Sequence, residues 1–411
     1  MRFVPNFLLR AIFTANGQLR NIVPADRRVF DQVEILPFKD GARAAASISA
    51  DFELAWAWRN LSAEGMEARA ATERENVPRL IAMLEKHRIP ITWATVGHLF
   101  LESCTRGRDG RPHSDMPRPG TNFGWEGDWY RHDPCTNVSA APGWFCPDLI
   151  RLIQRSTVAH EIGTHSFSHI DFGPDRSNAE QVRREIDASI DAMRSFGVHP
   201  RSLVYCFNHM GHQHLPLLAS LGLTSVRHRD RIRLAYPERT AAGVYKIYES
   251  ANLRVSNHYD YAAKADLFLR EAQRHQAAFH VWFHPSDTWA VFEQVFDRIL
   301  GLMAAYRDCG GVWVATMHDL VSYCEARATT DLTVSRAADS TRIVLRTTID
   351  SSRFGAPEIT IAIPVAWTPA RIMVTQNGQT TARNAGKPIP GRPGQMQFNV
   401  SCRAQSVEIF H

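Results

Sequence analysis

Hydrophobic and polar positions along this chain follow two periods in turn, one of about two residues and one of about 3.6. Small and apolar residues from Ala44 to Ala50 fit a buried strand whose carboxyl end presents Asp51, Phe52 and Glu53. Strand alternation places Asp51 and Glu53 on one face, about 6.6 Å apart. Val77, Leu80, Ile81 and Leu84 then fall at helical spacing, and Pro90 opens the next strand, ITWATVG. Val182, Ile186, Ile190 and Met193 form one stripe of a helix over about 179–196, with Asn178 as its cap, Gln181 three residues on and Gly197 at its end. RSLVYCF reads as strand, 215–221 as a short helix, LTSVR and AFHVWFH as strands, 289–306 as helix, GVWVATM as strand, and a last helix runs to about 326. This alternation predicts a parallel sheet wrapped by helices, open or closed into a barrel.

The two ends and one interior segment break that rhythm. Residues 1–42 form a leader in which Phe3, Phe7, Leu8, Leu9, Ile12 and Phe13 are mixed with arginines. Arg10 cuts this apolar run short of an export signal, and an amphipathic helix packed on the body is expected. Residues 105–148 are rich in Gly, Pro and aromatics; a connection that long is usually functional. Trp125, Trp129, Tyr130 and Trp144 either stack sugar rings over a site or form the core of a self-packed cap. Beyond 328 the segments are short, β-branched and separated by turns such as Asn377-Gly378, which predicts a small all-β, sandwich-like domain over 328–411. The barrel unit between is expected to span 43–327.

Composition narrows the classes. A chain of 411 residues with 44% hydrophobic and 22% charged residues has the balance of a globular protein with one large and one smaller domain. A net charge of +5, without a basic run interleaved with aromatics, excludes nucleic acid as the expected partner. No stretch approaches the ~20 apolar residues of a membrane span. The seven cysteines form no CxxC pair and their odd number does not suggest a disulfide framework, so a cytoplasmic location is expected. Nothing in the pattern sets the oligomeric state.

The candidate chemistry sits at three strand ends. In VAHEIGTHSFSHIDF, His165 and His169 follow Gly163 and stand four residues apart. An extended chain would separate them by roughly 13 Å, whereas a turn brings them within about 6 Å. Only the turn lets both reach one zinc-like ion at about 2.0–2.1 Å. The carboxylates Asp51 and Glu53 end another strand, where two buried acids require a cation or donors. His284 ends a third in AFHVWFHPSD, sharing its face with His280 and Trp282, and Pro285 stops the ladder. A barrel gathers such ends on one rim.

With these pieces in order, the sequence resembles the polysaccharide deacetylase family, metal-dependent de-N-acetylases of carbohydrates, over about Ala44 to Cys324. SADFE stands where that family has a strand ending in paired carboxylates, GTHSFSH matches its H-S/T-x-x-H signature, and WFHP its late histidine motif. ITWATVGHLF is similar to the family strand between the first two. The resemblance implies a distorted (β/α) barrel of fewer than eight strands, a His-His-carboxylate site for a divalent metal, zinc first, a carboxylate base and a histidine acid. Carried onto this chain, it makes His165, His169 and Glu53 the metal ligands, Asp51 the base and His284 the acid. Exchange of roles between Asp51 and Glu53 stays open, because the usual adjacent Asp pair is here Asp51-Phe52-Glu53. The family's third motif offers an arginine and a proline; the corresponding run here reads CFNHMGHQH, so Asn208, His209 and His212 become candidates for those roles. Trp129 and Trp282 complete the expected substrate contacts.

The implied reaction is hydrolysis of an N-acetyl or O-acetyl group on a carbohydrate polymer or oligosaccharide by metal-activated water. Two other readings share the scaffold. One is an amidohydrolase acting on a small non-sugar amide, as in allantoinase-like relatives, and the other is a glycan-binding protein without catalysis.

Overall fold

The computed structural model describes residues 5–118, 128–229, 233–253, 260–367, 371–383 and 386–410; Trp125 lies outside them. Seven parallel strand positions follow one another around a curled sheet. They are Ala44–Phe52, Thr92–Thr95, Glu161–Thr164, Ser202–Val204, Ser225–His228, Tyr245–Tyr248 and Ala278–Phe283. Each pairs in parallel with the next up to Tyr245–Tyr248, and Ala278–Phe283 pairs in parallel with Ala44–Phe52. The sixth position brings the ladder round to its start. Tyr245–Tyr248 pairs with Ser225–His228, and after Glu249-Ser250 the same segment, as Ala251–Asn252, pairs with Ala278–Phe283. This is the expected distorted (β/α) barrel. Its first strand explains the polar interior. Ser47 and Ser49, alternating with Ala46, Ile48 and Ala50, both bond the buried ring of His280, at 2.8 and 3.0 Å.

The hydrophobic periods locate most of this. The helix predicted over 179–196 is Ala179–Arg194, and Asn178 and Gln181 form a reciprocal capping box. The helix carrying Val77 to Leu84 begins earlier than its apolar stripe, at Ala63, because Ser62 caps it, and its charged first part buries Met66, Ala70, Glu73 and Asn76. Residues 229–277, to which the pattern assigned nothing, hold the sixth strand position and the helix Tyr261–His275. The strand is missed because it is short and carries Lys246 and Glu249, and only its ladder neighbours define it. Helix Pro147–Gln154 closes the long insertion. Strand Ala278–Phe283 ends at Phe283, so His284 is the first loop residue and not the last of the strand, and Val312–Val314 adds a further parallel pairing to Ala44–Ala46.

Two further all-β sheets follow the barrel. One orders Thr330–Arg336, Ser340–Thr347, Ser406–Phe410, Arg371–Gln376 and Gln379–Arg383. The other contains Glu358–Pro364, Arg392–Ser401 and Lys387–Ile389, and also takes in Arg28–Phe30 and Val33–Ile35 from the leader. The leader is therefore partly a piece of the C-terminal β structure. Its helix Asn6–Ala15 packs on Tyr261–His275, with Phe13 edge-on to Phe268 at 5.5 Å. Among the described residues no helix is long and apolar enough to cross a membrane.

The insertion folds back on the rim. Ser103 bridges Asn137, and Trp56 of the rim packs against Trp144 and Tyr130. Trp129 is only 2% exposed, and Tyr130 and Trp144 are buried as well, so these aromatics form the cap's own core and Trp129 presents no open ring face to a sugar.

Candidate active site

Three loops at the carboxyl ends of barrel strands bring Asp51, Glu53, His165, His169 and His284 together. Glu53 Oε1 lies 2.9 Å from His165 Nε2 and 3.0 Å from His169 Nε2, and His284 Nε2 is 3.8 Å from Glu53 Oε2. The HSFSH turn that the spacing predicts exists because Ser166 and His169 adopt left-handed backbone, at φ 60° and 59°. Leu54, Phe207 and Asn208 are left-handed too. Such conformations cost of order 1–3 kcal/mol each and persist where the surroundings dictate them. Here the surroundings are buried acids. Glu185, on helix Ala179–Arg194, accepts from Phe167 N, Ser168 N and Ser168 Oγ at 3.1, 2.9 and 2.6 Å. Glu73, on helix Ala63–His87, accepts from Glu53 N and Leu54 N at 3.0 and 3.1 Å. One turn further along the same helix, Asn76 donates to Pro285 O and Asp287 O at 2.7 and 2.9 Å, fixing the loop that carries His284.

The electrostatics follow from burial. Burial pushes the Glu73 carboxyl well above its usual range, reinforced by Glu53 nearby. Burial would also raise Glu53, but the charges of His169 and His284 and hydrogen bonds from His165 and His169 hold it well below. Burial drives His169 down to about 4. His165 moves the other way. Burial disfavours its charge, yet Cys206, Glu53 and Asp51 outweigh that and raise its proton affinity.

These residues fit a divalent metal. His165 Nδ1 donates to Val204 O at 2.8 Å, so in the neutral ring Nε2 turns a lone pair toward the Glu53 carboxylate. Two acceptors at 2.9 Å need a second proton or a cation between them. Glu53 Oε2 and His169 Nδ1 are buried without hydrogen-bond partners. The ligand-capable atoms of Asp51, Glu53 and His165 lie within 4.8 Å of one another, as do those of His165, His169 and Cys206.

Asp51, close to Glu53 and His165, is held by a partner the sequence reading did not single out. Arg227, at the end of the fifth barrel strand and 1% exposed on its side chain, grips both Asp51 oxygens, at 2.5 and 2.7 Å. Its other contacts are Ser49 Oγ and Asn208 Oδ1, both at 3.1 Å, and its guanidinium lies 4.3 Å from the centre of the Trp282 ring. CFNHMGHQH holds no arginine, whereas the next strand, in LTSVR, supplies this one. Asn208 reaches the site through Arg227. His209 is exposed and bonds Asp171 Oδ2 at 2.8 Å, and His212 packs edge-on against His228 at 4.9 Å. The rim is aromatic, but Trp282, expected to contact substrate, is 5% exposed and covered by Arg227. Phe207, 40% exposed, packs on His169 at 4.5 Å, and His284 lies between Trp58 at 6.0 Å and Trp282 at 5.3 Å. A signal for Arg227 existed: an arginine ending a buried strand needs a carboxylate, and Asp51 needed a cation.

Residues 65–226 match the family described as Polysaccharide deacetylase, a segment that includes His165 and His169 and excludes Asp51, Glu53, Arg227 and His284. No match is found among curated proteins. Among solved structures, a Mycobacterium smegmatis protein assigned to the polysaccharide deacetylases aligns at 18% identity over 77% of this chain and 99% of its own, with a TM-score of 0.49. Puue allantoinase aligns at 14% identity over 69% and 91% of the two chains, with a TM-score of 0.43. A CE4 family pseudoenzyme from Bacillus anthracis aligns at 11% over 68% and 65%, with a TM-score of 0.36.

Proposed function

From a chain that carries a polysaccharide deacetylase domain over residues 65–226, we propose a metal-dependent hydrolase that removes an acetyl group from a carbohydrate, N-acetyl in the first instance. The observation that carries this reading is Glu53 Oε1 set between the Nε2 atoms of His165 and His169, with Asp51 and His284 to either side. His165, His169 and Glu53 are the ligand set, with zinc the expected ion. A cation held there supplies Lewis acidity toward the acyl oxygen and a more acidic water. Asp51 takes a proton from the attacking water, and Arg227 orients it by holding both carboxylate oxygens. His284, 29% exposed on its side chain and flanked by Trp58 and Trp282, gives a proton to the leaving nitrogen or oxygen. Phe207, and not the buried Trp129 or Trp282, is the exposed aromatic side chain offered to a sugar ring.

The assignment of Glu53 to the metal rests on its contacts with both histidines, and that of Asp51 to the base on its separate tether. Acetate release from defined N-acetyl and O-acetyl oligosaccharides, with metal content measured on the same sample, tests the whole reading. Release by metal-loaded protein, lost in His165→Ala, is expected. A metal-loaded protein that binds oligosaccharide and releases no acetate over long incubation overturns it in favour of glycan binding. Turnover of a small cyclic amide alone overturns the substrate class.

A further inference from the structure

We propose that the chain holds a second, structural zinc ion that clamps the long insertion onto the barrel, bound by His98, Cys104, His113 and Asp133. These residues are distant in function from the site above and come from three places. His98 belongs to the turn after the second barrel strand, Cys104 to the start of the insertion, and His113 and Asp133 to its body. Their ligand-capable atoms all lie within 4.8 Å of one another. His98 Nε2 is 3.1 Å, His113 Nε2 2.8 Å and Cys104 Sγ 3.5 Å from an Asp133 oxygen. Ligand atoms around a tetrahedral zinc at about 2.0–2.3 Å stand roughly 3.3–3.8 Å apart, so the cluster is already near that scale.

The orientation of His98 is what makes this a cation site and not a carboxylate in a nest of donors. The ring is fully buried, and its Nδ1 donates to Trp144 O at 3.1 Å. In the neutral ring Nε2 then carries the lone pair, and it faces Asp133 Oδ2 at 3.1 Å. A buried imidazole lone pair aimed at a buried carboxylate is repulsive in a medium of low dielectric, and a cation between them removes the conflict. A thiol, two imidazoles and one carboxylate form a zinc-like donor set. Cys135 lies next to Cys104 and Asp133, with its backbone N–H bonded to Asp133 Oδ1 at 2.9 Å, and stands as the nearest exchangeable ligand.

The position gives the ion a task. The described residues between Cys104 and Asp133 carry no helix or strand, and the aromatics behind them reach the active-site loops. Tyr130 donates to Glu185 at 2.7 Å, and Arg59 donates to Trp129 O and His169 O at 2.9 and 3.0 Å. Fixing the insertion through the zinc thus fixes the cap that backs the HSFSH turn.

The test is metal stoichiometry in a background where the first site is disabled. Full-length protein carrying His165→Ala and His169→Ala, loaded with zinc and dialysed, is expected to keep one equivalent of zinc. Adding His113→Ala or Cys104→Ser is expected to remove it. The same background loaded with cobalt should show a thiolate-to-metal charge-transfer band that Cys104→Ser abolishes, and chelation should open residues 105–148 to limited proteolysis. A folded double variant that retains no zinc overturns the proposal, and so does a Cys104–Cys135 disulfide in purified protein, seen as unmodified thiols appearing only after reduction. If the double variant does not fold, wild-type protein decides. More than one equivalent, reduced by one in His113→Ala, supports the second ion; a single equivalent unaffected by that substitution overturns it. Because the readouts are metal content and protease sensitivity, failure here is distinguishable from failure of the deacetylase reading.

Discussion

Arg227 and Asp51 form a buried pair whose worth can be isolated. Both side chains are almost wholly buried, and two hydrogen bonds of 2.5 and 2.7 Å join them. Removing one partner of such a pair leaves an uncompensated charge and costs about 3–5 kcal/mol. Arg227→Met should therefore destabilise the protein by that amount while Asp51 is present. In an Asp51→Asn background Arg227 is itself the stranded charge, so Arg227→Met leaves none behind and costs at most the contacts it loses. What is then lost is packing on Trp282 and the hydrogen bonds to Ser49 and Asn208, about 1–2 kcal/mol. The difference, at least about 2–3 kcal/mol, is the coupling between the two residues. Urea unfolding of the four proteins at pH 7, followed by circular dichroism, measures it. Activity gives a parallel readout: Asp51→Asn should lower kcat by about 10²–10⁴. Arg227→Met should do the same and add little in the double variant, since both act on one proton transfer. Equal destabilisation by Arg227→Met in the two backgrounds, a coupling under about 0.5 kcal/mol, would refute the pairing as the organising contact.

Three further outcomes are expected. His165→Ala should lose bound metal and turnover together, whereas His284→Ala should keep its metal and lose turnover by about 10²–10⁴; a His284→Ala protein with near-normal kcat removes it from the acid role. Glu185→Gln replaces one acceptor oxygen by a donor facing N–H and O–H groups. It should cost about 1–3 kcal/mol and weaken metal binding about 10–100-fold, read by chelator competition, and unchanged affinity would show that the HSFSH turn holds without it. His280 is pushed down to about 3 by burial and by Arg227. Its folded pKa is thus below the unfolded value of about 6.5, so the unfolded state binds more protons in that window and stability falls as pH drops from about 6.5 toward 3. At pH 5 this group alone accounts for about 2 kcal/mol, and His280→Asn should flatten that part of the urea-midpoint profile. An identical slope in the variant would place the acid sensitivity elsewhere.

The barrel was legible because a parallel strand buried on both faces leaves a largely apolar run, clearest around Ala44–Phe52, Thr92–Thr95, Ser202–Val204 and Ala278–Phe283. The sixth strand position, with Lys246 and Glu249, owes its place to neighbours on both sides, and no local pattern reports that. Of the site, the residues at strand ends could be read from the chain. Their partners could not. Glu73, Glu185 and Asn76 sit on helices at positions that read as solvent face, yet the rim loops bury them. Arg227 was visible only as the last letter of a strand, and its meaning depends on Asp51, 176 residues away. Trp129 was misplaced for a related reason: an aromatic-rich loop offers the same composition whether its rings face outward or inward.

Helix Ala63–His87 carries Glu73, which holds the Glu53 loop, and Asn76, which holds the His284 loop. The gap between carboxylate and imidazole across the cleft is thus ruled off against one rigid rod. Deleting a single residue between Ser62 and Glu73 would swing both anchors by about 100° at once. Two catalytic loops from opposite ends of the barrel sequence would lose their registration in one event, so the length of this helix start is under a constraint that neither loop reveals by itself.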